Sequence, residues 1–462
     1  MKPRDLYDMG VPAGDAVGAF IEVSKKLTPD IGKAAFAARV AVVVNNPQAF
    51  TADVDFAAAA NALIDYRKAG FVERAAPAPY QIWGDGLEDG ALKQMANAVR
   101  LPVAVRGALM PDAHLGYGLP IGGVLATRNA VIPYAVGVDI ACRMRLSVFP
   151  IAADQLDKLH DSLAKILEDQ TVFGTGATWR KPQQHEVLEA DWDVSPITRK
   201  FFDKAASQLS TSGSGNHFVE FGTFTLDKPD VGLQPGRYIA LLSHSGSRGT
   251  GAMVADHYSK LARSLHPTLP KELSHLAWLA MDSDPGREYF AAMELMGRYA
   301  AANHELIHHR IAKAMKESPA LTVENHHNFA WKETHDGEEL IVHRKGATPA
   351  GAGVLGVIPG SMATPGYLVR GKGNAPSLHS ASHGAGRAMS RTAAKNAYRW
   401  SHIAPKLKEA GVTLLSAGID ENPFAYKDIA SVMSSQADLV EIVARFDPRI
   451  VKMAPEGEQP ED

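Results

Sequence analysis

The sequence predicts an α+β fold of mixed sheets with surrounding helices, preceded by a helical extension. Three observations lead there. Residues 1–75 are alanine-rich, with apolar residues at three- and four-residue spacing, which is helical periodicity. From about Pro102 to Val148, glycine-rich turns alternate with short apolar runs, the pattern of strands joined by tight turns. Beyond that, strand-like and helix-like segments follow without regular βαβ alternation, which favours α+β over a doubly wound sheet.

The elements follow in order. Helices are expected over Val11–Lys26, Ile31–Val44 and Ala52–Lys68. Ala75-Ala-Pro-Ala-Pro-Tyr80 reads as a linker, because its prolines cannot sustain a helix. Strands are expected over Val103–Leu109, Ile121–Ala126, Val131–Val136 and Met144–Val148, then a helix over Asp154–Leu167 and a polar segment from Gly174 to Asp193. Further strands are expected at His217–Phe221, Tyr238–Ser243, Glu339–His343, Val354–Ile358 and Tyr367–Arg370. A long helix is expected over Arg287–Glu317 and another over Lys427–Ala444. Three regions result: a helical extension over 1–75, a mixed strand-and-helix domain over 78–452, and a disordered tail over 453–462, rich in Pro, Gly and acid.

Composition narrows the class. The chain has 462 residues, 45% of them hydrophobic and 21% charged, enough for a sizeable core without disulfides. One cysteine excludes an intrachain disulfide and predicts a reducing, cytoplasmic setting. The start lacks an apolar signal region, and no apolar run is long enough to span a bilayer, so no membrane partner is expected. A formal charge of −3 excludes a broadly basic nucleic-acid coat but leaves room for a local basic groove.

Five polar stretches carry candidate chemistry. Asp139-Ile-Ala-Cys142 sets a carboxylate and the lone thiol three residues apart. Gly213-Ser-Gly-Asn-His217 and Ser243-His244-Ser-Gly-Ser-Arg248 each place a histidine at the edge of a strand and a glycine turn. Glu324-Asn-His326-His327-Asn328 pairs two imidazoles, and Ser382-His383-Gly-Ala-Gly386-Arg387 sets a histidine before glycines, ahead of an expected helix. Alone, each has an ordinary structural explanation. Together, one Asp, one Cys and three His make a ligand set for one or two divalent metals, and a thiolate can bridge two cations. The backbone N–H groups after His383, with Arg387, suit a phosphate, and an imidazole facing a cradled phosphate can form a phosphoramidate. Pro359-Gly-Ser-Met362 is a second such turn, though by itself a plain proline-glycine turn explains it. His304-Glu305-Leu-Ile-His308 fits the zinc-protease pattern H-E-x-x-H, but a polar helix surface explains it better.

With these residues stand further motifs: Met110-Pro-Asp-Ala-His-Leu-Gly-Tyr-Gly118, Val136-Gly-Val-Asp-Ile-Ala-Cys142, Arg344-Lys-Gly-Ala347 and Ala425-Tyr-Lys-Asp428. In their order, across roughly 78–452, they resemble the RtcB family of RNA-splicing and RNA-repair ligases. The resemblance implies an RtcB-like fold. It also implies a reaction that joins an RNA 3′-phosphate or 2′,3′-cyclic phosphate to a 5′-hydroxyl, using GTP and manganese, with two ions expected. By the same resemblance, Asp139, Cys142, His217, His244 and His327 would be metal ligands, with Cys142 bridging, and His327 rather than His326 is the expected ligand. His383 would be the nucleophile that takes GMP. Nucleotide contacts would come from Asn216, His217, Phe218, Val219, Glu220, His327, Asn328, Pro359, Gly360, Ser361, Met362, Gly366, His383, Gly384, Ala385, Gly386, Tyr426 and Lys452.

The expected partners are RNA with those ends and an accessory activating protein. Arg248, Arg344, Lys345, Arg387 and Arg391 are candidate RNA contacts. Three departures from the family pattern stand out. Arg143 replaces the usual glycine and would put a bulky charge beside the metals, Gly366 stands where many relatives have serine, and ten residues follow Lys452 where relatives end. The competing readings are a metal-dependent phosphoesterase and a non-catalytic RNA-binding protein on the same scaffold.

Overall fold

A computed structural model describes residues 1–12 and 14–458. Two large sheets form its centre. The smaller runs Tyr80–Ile82, Ala104–His114, Ile121–Thr127, Glu338–Lys345 and Asn328–His335 in spatial order. The larger runs Leu355–Ile358, Gly366–Gly371, Val440–Met453, Phe218–Leu226, Gly236–Ser245, Arg143–Ala152 and Leu321–His326, with Thr413–Ser416 beside Val440–Met453. Its two outer strands approach each other. The Asn325 side chain accepts from Val357 N at 2.8 Å and donates to Val357 O at 3.3 Å, which draws the sheet toward a barrel. The fold is α+β, as the sequence predicts.

One residue joins the sheets. Leu321–His326 belongs to the larger and Asn328–His335 to the smaller, so His327 sits at the crossing. The 32-residue helix Asp284–Met315 lies under the larger sheet and starts on a Ser283 cap that accepts from Gly286 N. Its apolar face shares one core with Arg248–Leu265 and with the N-terminal helices, through Phe20, Phe36, Phe56, Tyr258, Tyr289 and Tyr299. The extension is therefore packed on the body of the protein. Among the described residues no helix is long and apolar enough to cross a membrane.

Several expected elements shift. The N-terminal helices run Asp15–Ile31, Lys33–Asn45 and Ala57–Ala69, so their boundaries move by a few residues. The Ala75–Tyr80 linker is docked. Ala78 is buried with its N–H on Val99 O, and Tyr80 opens a strand parallel to Ala104–His114. Val131–Val136 is not a strand: Pro133 starts a short helix, Pro133–Val136, that ends at Gly137, whose φ is +109°. Lys427–Ala444 is not one helix either. Asp428 caps only Ile429–Ser434, and the apolar run beyond it enters the strand Val440–Met453. The tail begins later than expected, since Met453 ends that strand and Ala454 is buried. Residues 459–462 lie outside the described part.

Candidate functional site

The expected ligands converge from four strand ends. Asp139 and Cys142 lie in the turn that leads into Arg143–Ala152, where Ala141 takes a φ of +58° and donates its N–H to Asn328 O at 2.7 Å. His217 immediately precedes Phe218–Leu226, and His244 lies near the end of Gly236–Ser245, in register with Phe218 and Met144. His327, at the crossing between sheets, donates its N–H to Cys142 O. Gly246 has no alternative, because a Cβ there would overlap both Asp139 carboxylate oxygens.

Two trios share the sulfur: Cys142, His244 and His327, and Asp139, Cys142 and His217. Cys142 Sγ lies 3.0 Å from His244 Nε2 and 3.5 Å from His217 Nε2. His244 Nε2 lies 3.2 Å from His327 Nε2, and His217 Nε2 lies 3.1 Å from Asp139 Oδ2. The other ring nitrogens set the tautomers. His217 Nδ1 donates to Ser212 O at 2.8 Å, and His244 Nδ1 donates to Asn216 O at 3.1 Å. Each Nε2 is therefore free of its proton, His217 Nε2 beside the sulfur and the carboxylate and His244 Nε2 beside the sulfur and His327. Burial, with His217 nearby, pushes His244 down to about 3, and burial holds His327 well below the usual histidine range. Burial pushes Asp139 up, but its hydrogen bonds, among them the one accepted from Ser247 N at 3.0 Å, hold the carboxyl below the usual carboxylate range. Neutral imidazoles, a carboxylate and a soft sulfur converging away from solvent are a donor set that a divalent cation completes.

The neighbouring His326 points elsewhere. In register with Arg143, its ring packs against Phe329 and Trp331, each with centroids 5.0 Å away. His326 ends its strand and His327 is the link to the next sheet, so the two side chains part there.

His383 stands beside this group, its ring 5.0 Å from that of His327. It follows the short strand Ser380–Ser382. Asp112, fully buried, holds it: Oδ2 accepts from His383 Nδ1 at 2.7 Å, from His383 N at 3.1 Å and from Gly384 N at 3.4 Å. With the proton held on Nδ1, Nε2 carries the lone pair. Asp112 is the site residue that sequence reasoning did not single out. It lay in the quoted 110–118 motif, but nothing local tied it to a histidine 271 positions away. The helix expected directly after Arg387 starts only at Arg391, so the glycine turn stands without it.

A cavity of about 720 Å³ joins these parts. Its lining includes Asn216, Phe218, Glu220, Asn328, Pro359, Gly360, Ser361, Met362, Gly366, Gly384, Ala385, Gly386 and Tyr426, together with Asp139, Cys142, His244, His327 and His383. Burial pushes the Glu220 carboxyl well above the usual range, and pushes the Lys345 ammonium down to about 7.

Some expectations fail here. His217, Val219 and Lys452 do not line the cavity: His217 is buried against Asp139 and Cys142, and strand alternation turns Val219 and Lys452 away from Phe218, Glu220, Val451 and Met453. Lys452 Nζ instead donates to the carbonyls of Leu167, Glu168 and Thr171, where it closes the C-terminal end of Leu156–Gln170. Arg248 and Arg344 are 2% and 1% exposed, so neither is placed to meet RNA. Arg248 donates to Thr211 and Gly174 O, and Arg344 pairs with Glu333. Arg387 and Arg391 line the cavity while pairing with Glu421. Arg143 points away from the sulfur, to Glu324 at 3.0 Å and Gly297 O at 3.2 Å, so its charge is not at the ligands.

The H-E-x-x-H stretch holds no metal chemistry. His304 Nε2 donates to Ser245 O, so its Nδ1 accepts from Ser243 Oγ. Ser243 Oγ then accepts from His308 Nε2, and His308 Nδ1 accepts from Ser147 Oγ. Every ring nitrogen is used, and Glu305 is exposed. His308→Ala is expected to destabilise the fold by ~1–3 kcal/mol, through the loss of its two buried hydrogen bonds to Ser147 and Ser243 and of the ring that fills that space, while leaving metal content unchanged. Denaturant unfolding and metal analysis of the same sample check both.

The profile of the family described as tRNA-splicing ligase RtcB matches residues 94–453. The chain belongs to the RtcB family. It is 35% identical over 404 residues to the RNA-splicing ligase RtcB of Escherichia coli K12, covering 79% of this chain and 95% of that one. It is 33% identical over 437 residues to the tRNA-splicing ligase RtcB of Nanoarchaeum equitans, covering 78% and 91%. Against the RNA-splicing ligase RtcB of Mycobacterium bovis it is 30% identical over 432 residues, covering 77% and 98%. The region matched to RtcB contains every cavity residue except Glu88.

Proposed function

We propose that this RtcB-family RNA ligase joins RNA 3′-phosphate or 2′,3′-cyclic phosphate ends to 5′-hydroxyl ends, consuming GTP through a GMP–histidine intermediate on His383. The observation that carries this is His383, on the cavity wall beside the five converging candidate ligands and held from behind by the buried Asp112. Asp139, Cys142, His217, His244 and His327 would hold two manganese ions. Those ions, when bound, supply positive charge to the phosphoryl oxygens.

The chain's own groups account for the rest. Asp112 fixes the His383 tautomer, so that Nε2 attacks the α-phosphorus of GTP, the P–N bond forms and pyrophosphate leaves. An oxygen of the RNA 3′-phosphate then displaces the imidazole, giving an RNA–GMP anhydride. The 5′-hydroxyl attacks the RNA phosphorus and GMP departs. A cyclic phosphate is first opened by water. Glu220 supports guanine as the base: its buried carboxyl lacks the charge partners that would offset burial, and the N1–H and 2-amino donors of guanine would supply hydrogen bonds to it. Residues 78–452 would carry the catalysis, with 1–75 as a buttressing extension.

The test is incubation with α-labelled GTP and manganese. Acid-labile, alkali-stable label on the protein is expected, and its absence overturns the reading. Asp112→Asn should form the adduct ~10²–10⁴-fold more slowly, because an amide can favour the wrong His383 tautomer. Single-turnover labelling measures this, and an unchanged rate removes Asp112 from the mechanism.

A further inference from the structure

The segment at the mouth of the cavity combines a rigid backbone with exposed apolar side chains. Leu115 is 54% and Tyr117 64% exposed, and both line the cavity. Four backbone ties hold the turn between them. Leu115 N donates to Glu88 Oε2 at 2.9 Å and Gly116 N to Gln94 Oε1 at 3.0 Å. Gln94 Nε2 donates to Gly116 O, and Lys345 Nζ donates to Tyr117 O, both at 2.5 Å. Gly118 takes a φ of +73°, and a Cβ there would lie 2.7 Å from His275 O, so the turn cannot relax around a side chain.

Two large side chains left in solvent cost hydrophobic free energy that the protein does not recover internally. A backbone fixed this firmly does nothing to bury them. Among the rings of the described residues, the Tyr117 ring meets that of His275, edge to face at 5.8 Å, and His275 is backed by Tyr134 at 4.7 Å. An aromatic face held open beside a phosphate-handling cavity suits a nucleic-acid base. Glu220 and Phe218 are on the less exposed wall, whereas Tyr117 stands on the exposed rim, so the two places would serve different bases.

We infer that Tyr117, flanked by Leu115, is the stacking platform for the base of the RNA nucleotide that bears the 3′-phosphate. This rests on the ligase reading above. Lys345 couples the platform to the phosphate: its ammonium holds the Tyr117 carbonyl, while its neighbour Gly346 packs by the His383 ring.

The test measures binding of a 3′-phosphorylated oligoribonucleotide, by fluorescence anisotropy, with the terminal base intact or replaced by an abasic residue. The wild-type protein should bind the abasic end about tenfold more weakly. Tyr117→Ala should bind the intact end weakly by a similar factor and show no further loss with the abasic end. Tyr117→Trp should restore the discrimination. A merely structural role would weaken both ends alike. An abasic penalty that is the same in Tyr117→Ala as in wild type overturns the inference. A wild-type protein that forms the GMP adduct yet binds both ends equally overturns the platform and leaves the ligase reading intact. One that neither forms the adduct nor binds the RNA overturns both.

Discussion

His383→Ala should yield no labelled protein and no joined RNA, a loss of at least ~10⁴-fold in both readouts. The reason is covalent. If His383 takes GMP, every later step depends on the bond it forms, and the Asp112 carboxylate cannot stand in for it. Asp112 Oδ2 is buried and already accepts three N–H groups, two of them from the backbone. A general-base role for His383 would give a different result, since exogenous imidazole or high pH would then restore label to the mutant protein. Label that survives in His383→Ala under ordinary conditions places the nucleophile elsewhere. The substitution should fold, because His383 lies on the cavity wall rather than within an apolar cluster.

If the chain binds two manganese ions as proposed, Cys142→Ala should leave none after desalting, with joining lost in parallel. Both ligand trios contain this sulfur, so its removal leaves each with two of three donors. The loss should exceed the ~10–100-fold in affinity that substitutions outside the ligand shell cost. His217→Ala and His327→Ala, each confined to one trio, should instead leave one ion. Metal analysis of the desalted proteins distinguishes these outcomes. Equal loss in all three variants would show that the two trios act as a single site. Chelator treatment of the wild type should remove joining, and manganese should restore it.

The residues that converge at the cavity were legible as candidates because their chemistry is written in residue type: a lone cysteine, histidines at glycine turns, a carboxylate three residues from the thiol. H-E-x-x-H was set aside as a polar helix surface, and that reason was wrong: His304 and His308 are buried, and serine hydroxyls and a backbone carbonyl occupy their ring nitrogens. Arginine was misread for the opposite reason. Arg248 and Arg344 look like phosphate contacts in a linear chain, but their planar forks suit buried carbonyls and carboxylates equally well. Lys452 and Val219 were misplaced because a continuous run of motif residues hides the alternation that sends neighbours to opposite faces.

Element boundaries failed where local and tertiary signals compete. The apolar residues of Lys427–Ala444 match a helical period, yet the pairing of Val440–Met453 with strands on both sides outweighs local preference. The Asp112–His383 contact spans 271 positions and came from no local pattern at all.

By itself the sequence determined which functional groups exist, that a metal and a phosphate could be handled, and which family the chain resembles. Those depend on side-chain chemistry, which is fixed residue by residue. The tertiary structure decided which of two adjacent histidines faces the sulfur, which carboxylate holds His383, and which arginines are already paired inside. Those are matters of direction, and direction is set by the pleat of the strands and by contacts between segments that the chain order keeps far apart.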